Sequence, residues 1–304
     1  MKKNLKTLAA LACCIITTTV FTACNDVDDN PVSPIADGII INGKNFPDPG
    51  FRSFLLGQDY GEDCVLTEAE IKNITQIDVS YSFIESLKGI EYFTALKRLD
   101  CEDCELTELD LSKNTALTFL DCCDNNLTSL NVSNNALLDS LDCCYNNLTE
   151  LNVSKNTALR GLLCYENELT SLDLTKNTAL EELDFEFNNI TSIDLSNNVA
   201  LKILYCAGNG ITSLDVSKCT ALEMLQCGPN KISGQNMDDL IGGLPQNTTS
   251  TLYKFNVIDT SYTKFTEENV CTKSQVAALK AKGWNPMQWD DDEYKWVDYP
   301  GSDD

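Results

Sequence analysis

Cys143 and Cys144 stand side by side in the stretch LDCCYNN, and Cys122 and Cys123 repeat the arrangement 21 residues earlier. Adjacent thiols suit a metal site, half of a redox motif, or two unrelated roles. The chain holds 15 cysteines and no histidine, which removes the usual general base and most zinc sites. Carboxylates recur at the same spacing in Asp100, Asp121 and Asp142. Carboxylates about 5–5.5 Å apart are the equipment of a retaining glycosidase. A regular column on a shallow surface offers no pocket, however, and nothing singles out one acid from its repeats. The sequence has no nucleophile and base pair, phosphate loop or cofactor motif. The expectation is therefore a non-enzymatic binding protein without a cofactor.

A repeat positions these residues. Leu99, Leu120, Leu141, Leu162, Leu183, Leu204 and Leu225 lie 21 residues apart, as do Leu96, Leu117, Leu138, Leu159, Leu180, Leu201 and Leu222. Two places after the first row come Cys101, Cys122, Cys143, Cys164, Phe185, Cys206 and Cys227. Five places after it come Cys104, Asn125, Asn146, Asn167, Asn188, Asn209 and Asn230. A fixed short period means a solenoid. The pattern resembles the leucine-rich repeat, L-x-x-L-x-L-x-x-N/C-x-L, with Cys104 in the permitted place of Asn. The cysteine at the third apolar position, in a repeat ending L-T-x-L-D-L-S, is similar to the cysteine-ladder family of internalin J. Ile74, Ile77, Val79, Ile84 and Leu87 add a 22-residue rung, so the array spans about residues 73–233. The resemblance implies an α/β-type leucine-rich-repeat solenoid with a concave parallel β-sheet and a short, mostly non-helical convex side.

Side chains alternate along a strand, so Leu141 and Cys143 should share the buried face while Asp142 and Cys144 share the other. Cys143 then belongs to a ladder of small apolar fillers, with the Asn row bonding the backbone that leaves each strand. Outward Cys123 and Cys144 on neighbouring rungs would be about 4.8 Å apart, inside the Cα window for a disulfide. Two free surface thiols are the other reading. A zinc cluster is disfavoured, because ligands at a 21-residue pitch form a line and not a tetrahedron.

A solenoid needs caps at its ends. Residues 35–72 resemble the N-terminal cap of bacterial surface repeats, with a helix near Phe51 to Leu56 and an EF-hand-like loop. Asp59, Asp63 and Glu70 take the first, fifth and twelfth positions of that loop, but Gly61 removes one ligand and Cys64 replaces the turn glycine. Calcium binding and a degenerate helix-loop-helix both remain open. After Ile232 the period fails, and residues 234–304 read as helix, strand, capped helix and an aromatic hairpin, an α/β C-terminal cap. Trp284, Trp289 and Trp296 either close the sheet or form a carbohydrate platform.

The chain begins with a basic segment, an apolar stretch from Leu8 to Ala23, and then Cys24. Residues 1–23 read as a secretory signal, and TAC resembles the lipobox of bacterial lipoproteins, with Cys24 as the acylated residue. Within the acidic tether 24–34, the NDVDDN directly after Cys24 resembles the export signal of Bacteroidota outer-membrane lipoproteins, which implies exposure at the cell surface. Removing 1–23 takes away three lysines and no acid, moving the net charge from −24 to −27. Such a charge argues against nucleic acid and leaves the lipid as the membrane contact. Asp100, Asp121, Asp142, Asp184 and Glu186 would face outward from the concave sheet with Tyr145, Tyr165, Phe187 and Tyr205. This face is either a solvated acidic surface or a site for a basic protein segment. The internalin resemblance implies adhesion to host protein or mucin by a monomer. The alternatives are a glycan-binding accessory of polysaccharide uptake and a structural surface protein.

Overall fold

The computed structural model describes residues 38–248, 253–259, 266–290, 292–293 and 295–303. The signal segment, Cys24 and the tether lie outside the described residues.

Each repeat opens with a three-residue strand whose central residue, leucine in β4 to β10 and Ile77 in β3, points inward. The strands are β3 Gln76–Asp78, β4 Arg98–Asp100, β5 Phe119–Asp121, β6 Ser140–Asp142, β7 Gly161–Leu163, β8 Glu182–Asp184, β9 Ile203–Tyr205 and β10 Met224–Gln226. They pair in parallel without a register shift, so Leu99, Leu120, Leu141, Leu162, Leu183, Leu204 and Leu225 align across the sheet. All seven are fully buried. Burying a leucine contributes roughly 1.5–3 kcal/mol, and here it is gained only when the neighbouring turn is present.

The strands stop early because an asparagine takes over the backbone hydrogen bonding. Asn146 Nδ2 donates to the carbonyls of Cys122, Cys143 and Cys144 at 2.9, 3.2 and 3.1 Å, while its Oδ1 accepts from Leu127 N at 2.9 Å. Asn125, Asn167, Asn188, Asn209 and Asn230 also donate to the carbonyl of the ladder residue on the preceding rung. In the earliest such rung the Cys104 thiol donates to Val79 O instead. The residue just before this position is left-handed on successive turns: Tyr81, Asp103, Asp124, Tyr145, Glu166 and Phe187 have φ of 59, 47, 52, 48, 51 and 54°. That conformation costs a non-glycine residue about 1–2 kcal/mol, which the asparagine bonds offset.

Thiols of Cys101, Cys122, Cys143 and Cys206 donate to the strand carbonyl of the following rung, and Cys164 and Cys227 are buried in the same row. A second asparagine ladder runs along the back. Asn114, Asn135, Asn156, Asn177 and Asn198 are fully buried, and from Asn135 onward each Nδ2 donates to the asparagine carbonyl of the preceding turn. The convex turns are tied by Asp110, Asp173, Asp194 and Asp215, with Asn131 and Asn152, each accepting from the backbone two residues ahead.

At one end, β1 Gly38–Ile40 pairs antiparallel with β2 Val65–Thr67, and helices α1 Pro49–Leu56 and α2 Glu68–Asn73 complete the segment. Asp48 caps α1 through Phe51 N, and its other oxygen accepts from Glu85 N and Ser86 N of the first rung. At the other end come α3 Gln235–Gly243, β11 Tyr253–Ile258, α4 Lys273–Ala281, β12 Trp284–Asp290 and β13 Lys295–Asp298. Strands β11 and β12 extend the sheet in parallel and β13 closes it antiparallel. Trp284 is fully buried with Nε1 donating to Pro245 O at 2.9 Å, and Trp289 and Trp296 meet edge to face across the hairpin. Trp284 therefore belongs to the closing core and leaves the three-tryptophan platform incomplete. No helix among the described residues is long and apolar enough to cross a membrane.

Candidate functional site on the concave sheet

The last residue of each repeat strand lies on the concave face, and in β3, β4, β5, β6 and β8 it is an aspartate. Asp100 is held by Arg98, whose Nε and Nη2 reach its two oxygens at 2.7 and 2.5 Å while the guanidinium lies 3.6 Å from the Phe119 ring centre. Asp121, Asp142 and Asp184 instead accept from the backbone N–H two residues on, at Cys123, Cys144 and Glu186. Together with Glu186, they take part in no ion pair among the described residues. Burial pushes the Asp121 carboxyl up to about 6, with the neighbouring acids adding to it. Burial also raises Asp142, and it raises Asp184 and Glu186, which oppose each other's charge. The face holds more negative charge than its own cations neutralise.

The aromatic residues divide into two groups. Tyr145 is 43% exposed and meets Tyr165 edge to face at 5.1 Å between ring centres, with Tyr205 half-buried two rungs beyond Tyr165. Phe187 differs from expectation, for it is only 5% exposed. Its ring lies over Gly208, where an added Cβ would come 2.2 Å from Phe187 Cδ1. Glu186 is likewise buried, with Oε1 lacking a hydrogen-bond partner. These two residues pack the face and present little to a partner.

Cys123 and Cys144 also depart from the surface position expected of them. Both are free thiols, 7% and 0% exposed. Strict alternation ends with Asp142, the last residue of β6, and the left-handed turn at Tyr145 folds the following segment over. The Cys144 thiol contacts Cys123, Asp142 and Tyr165 through hydrogen bonds. The pair is not bridged.

Asp63 and Glu70 are engaged locally, and Asp59 opens a short turn at Asp59–Gly61. The Glu70 carboxylate accepts from Thr67 N and Oγ1 at 2.8 and 2.7 Å in a capping box for α2, and Asp63 accepts from Val65 N. Cys64 keeps the left-handed turn of a calcium loop's glycine, with φ of 64°. Among the described residues, these three acids are not gathered as a ligand set. Sequence reasoning missed Tyr81 and Phe83, 68% and 77% exposed at the first rung. Tyr81 donates to Glu102 at 2.5 Å from the left-handed position that Tyr145 occupies on its own rung. Counting back from Asp103 by 22 residues in place of 21 would have found it.

No family model matches the chain, and no curated protein is similar to it at a significant level. Solved structures are similar. The functional domain of internalin J from Listeria monocytogenes, which includes a cysteine ladder, shares 33% identity over 81% of this chain, with a TM-score of 0.66. The chain spans 55% of that structure's length. Internalin C2 of the same organism is 23% identical over 68% of this chain and 96% of its own, with a TM-score of 0.57. A leucine-rich-repeat protein of Leptospira interrogans is 18% identical over 73% of this chain and 63% of its own, with a TM-score of 0.55. With the aligned leucine rows and the buried thiols, these likenesses establish the fold as a leucine-rich-repeat solenoid with a cysteine ladder.

Proposed function

We propose that the chain is a non-enzymatic cell-surface binding protein whose concave sheet recognises a basic segment of a partner protein, in adhesion to host protein or mucin. The observation that carries this reading is the set of uncompensated carboxylates beside exposed Tyr145 and half-buried Tyr165 and Tyr205. Charge complementarity steers encounter and excludes acidic partners, while tyrosine rings supply contact area at small entropic cost. Acylation of Cys24 would hold this face outside the outer membrane, with no part of the repeat array entering the lipid.

The test passes the full chain over immobilised mucins, matrix proteins and polysaccharides, beside a Tyr145→Ala, Tyr165→Ala, Tyr205→Ala variant whose fold is checked by circular dichroism. Retention of the parent on a protein or mucin and its loss in the folded variant is the expected result. Retention on polysaccharide alone would replace the protein partner with a glycan, and equal retention of both proteins would move the site off the concave sheet.

A further inference from the structure

We propose that Cys123, Asp142 and Cys144 form a binding site for a thiophilic divalent cation of the zinc class. The two sulfurs and a carboxylate oxygen lie within 4.8 Å of one another. In a zinc tetrahedron, bonds of about 2.3 Å to sulfur and 2.0–2.2 Å to oxygen set ligand atoms roughly 3.4–3.8 Å apart. Closing the set from within 4.8 Å to that spacing takes about 1–1.4 Å of movement at the ligand atoms.

Ligands at the 21-residue pitch alone form a line, which is why the interior thiol ladder offers no such site. Asp142 breaks the line, because it lies two residues before Cys144 and brings a carboxylate oxygen within 4.8 Å of both thiols. Its Oδ1 is held by Cys144 N at 3.1 Å, which fixes the carboxylate and leaves its second oxygen for the ion. The Tyr165 hydroxyl is in hydrogen-bond contact with Cys144.

Charge selects a cation and sulfur selects its kind. Asp121 and Asp142 face this point without a basic partner among the described residues. Two thiols and one carboxylate suit zinc or cadmium and disfavour calcium and magnesium, which take oxygen ligands. Each thiol surrenders its proton on ligation, so binding tightens as pH rises.

The reduced full chain is titrated with zinc by calorimetry and with cadmium by its sulfur-to-metal charge-transfer absorption. One equivalent per chain is expected, abolished in Cys123→Ser, Cys144→Ser and weakened by about tenfold or more in Asp142→Asn. The double variant retains every interior ladder thiol, so it separates this site from them. Asp142→Asn keeps both thiols and covers the case in which the double variant fails to fold. A parent that binds neither ion while both thiols are shown free by mass spectrometry would overturn the site. Binding undiminished in the folded double variant, or in Asp142→Asn, would do the same.

Discussion

Asn146 shows how a single side chain sets the path of a rung. It satisfies three carbonyls and one N–H from two rungs, all out of reach of water. Replacing it by alanine leaves Leu127 N without its acceptor, at about 1–3 kcal/mol, while the Cys122, Cys143 and Cys144 carbonyls keep bonds from Asn125, Asn167 and Asp124. Asn146→Ala should therefore lose about 2 kcal/mol in urea denaturation, with faster amide exchange at Leu127, whose N–H it accepts. A loss below half that value would show that the ladder is not what holds the turn. This asparagine row was legible because its spacing matched the leucines. The orientation of Cys144 was not, since period-two alternation holds only within a strand, and β6 ends at Asp142. The back ladder at Asn114 to Asn198 stands in the N-x-x-L of these repeats at the same period, and its regularity was available in the sequence.

The closing elements differ in how much they hold. Trp284 fills the space beneath β11 and β12, with Tyr253 edge to face at 5.2 Å, whereas Trp289 and Trp296 mainly pair with each other on the hairpin. Trp284→Ala should destabilise the chain by about 3–5 kcal/mol. Trp289→Ala should cost about 0.5–1.5 kcal/mol, the worth of an edge-to-face pair. Thermal and urea unfolding of the two variants compare them directly, and equal losses would contradict the assignment of Trp284 to the core. Helix α4 was readable from the sequence because Thr272 and Gln275 form a capping box at its start and Gly283 follows its end with φ of 78°. The first rung was harder, because its extra residue shifts Tyr81 off the common period.

Across the whole molecule the acids make stability depend on pH in an unusual direction. Folding raises Asp121 to about 6 and Glu267 to about 7, chiefly by burial, and raises Asp184 and Glu186 as an interacting pair. Above the ordinary carboxyl range the native chain binds more protons than the unfolded one, so these groups lower stability as pH climbs. Turn acids such as Asp110 and Asp173, held below the usual range by backbone N–H groups, act oppositely, and their contribution is lost as pH falls through their own pKa values. The thermal midpoint should peak near about pH 4–5 and decline to about pH 8. Asp184→Asn, Glu186→Gln should make that decline shallower, and a parent whose midpoint rises over this range would contradict the burial of these carboxylates. Asp121 is ionised above about pH 6, and there the charge of the concave face should govern recognition. The most direct measurement is the affinity of the full chain for the protein or mucin it retains, followed as salt increases. A steep loss of affinity with salt, together with loss of binding in the triple tyrosine variant, is the predicted result. Affinity indifferent to salt would contradict an acidic face that selects a basic partner.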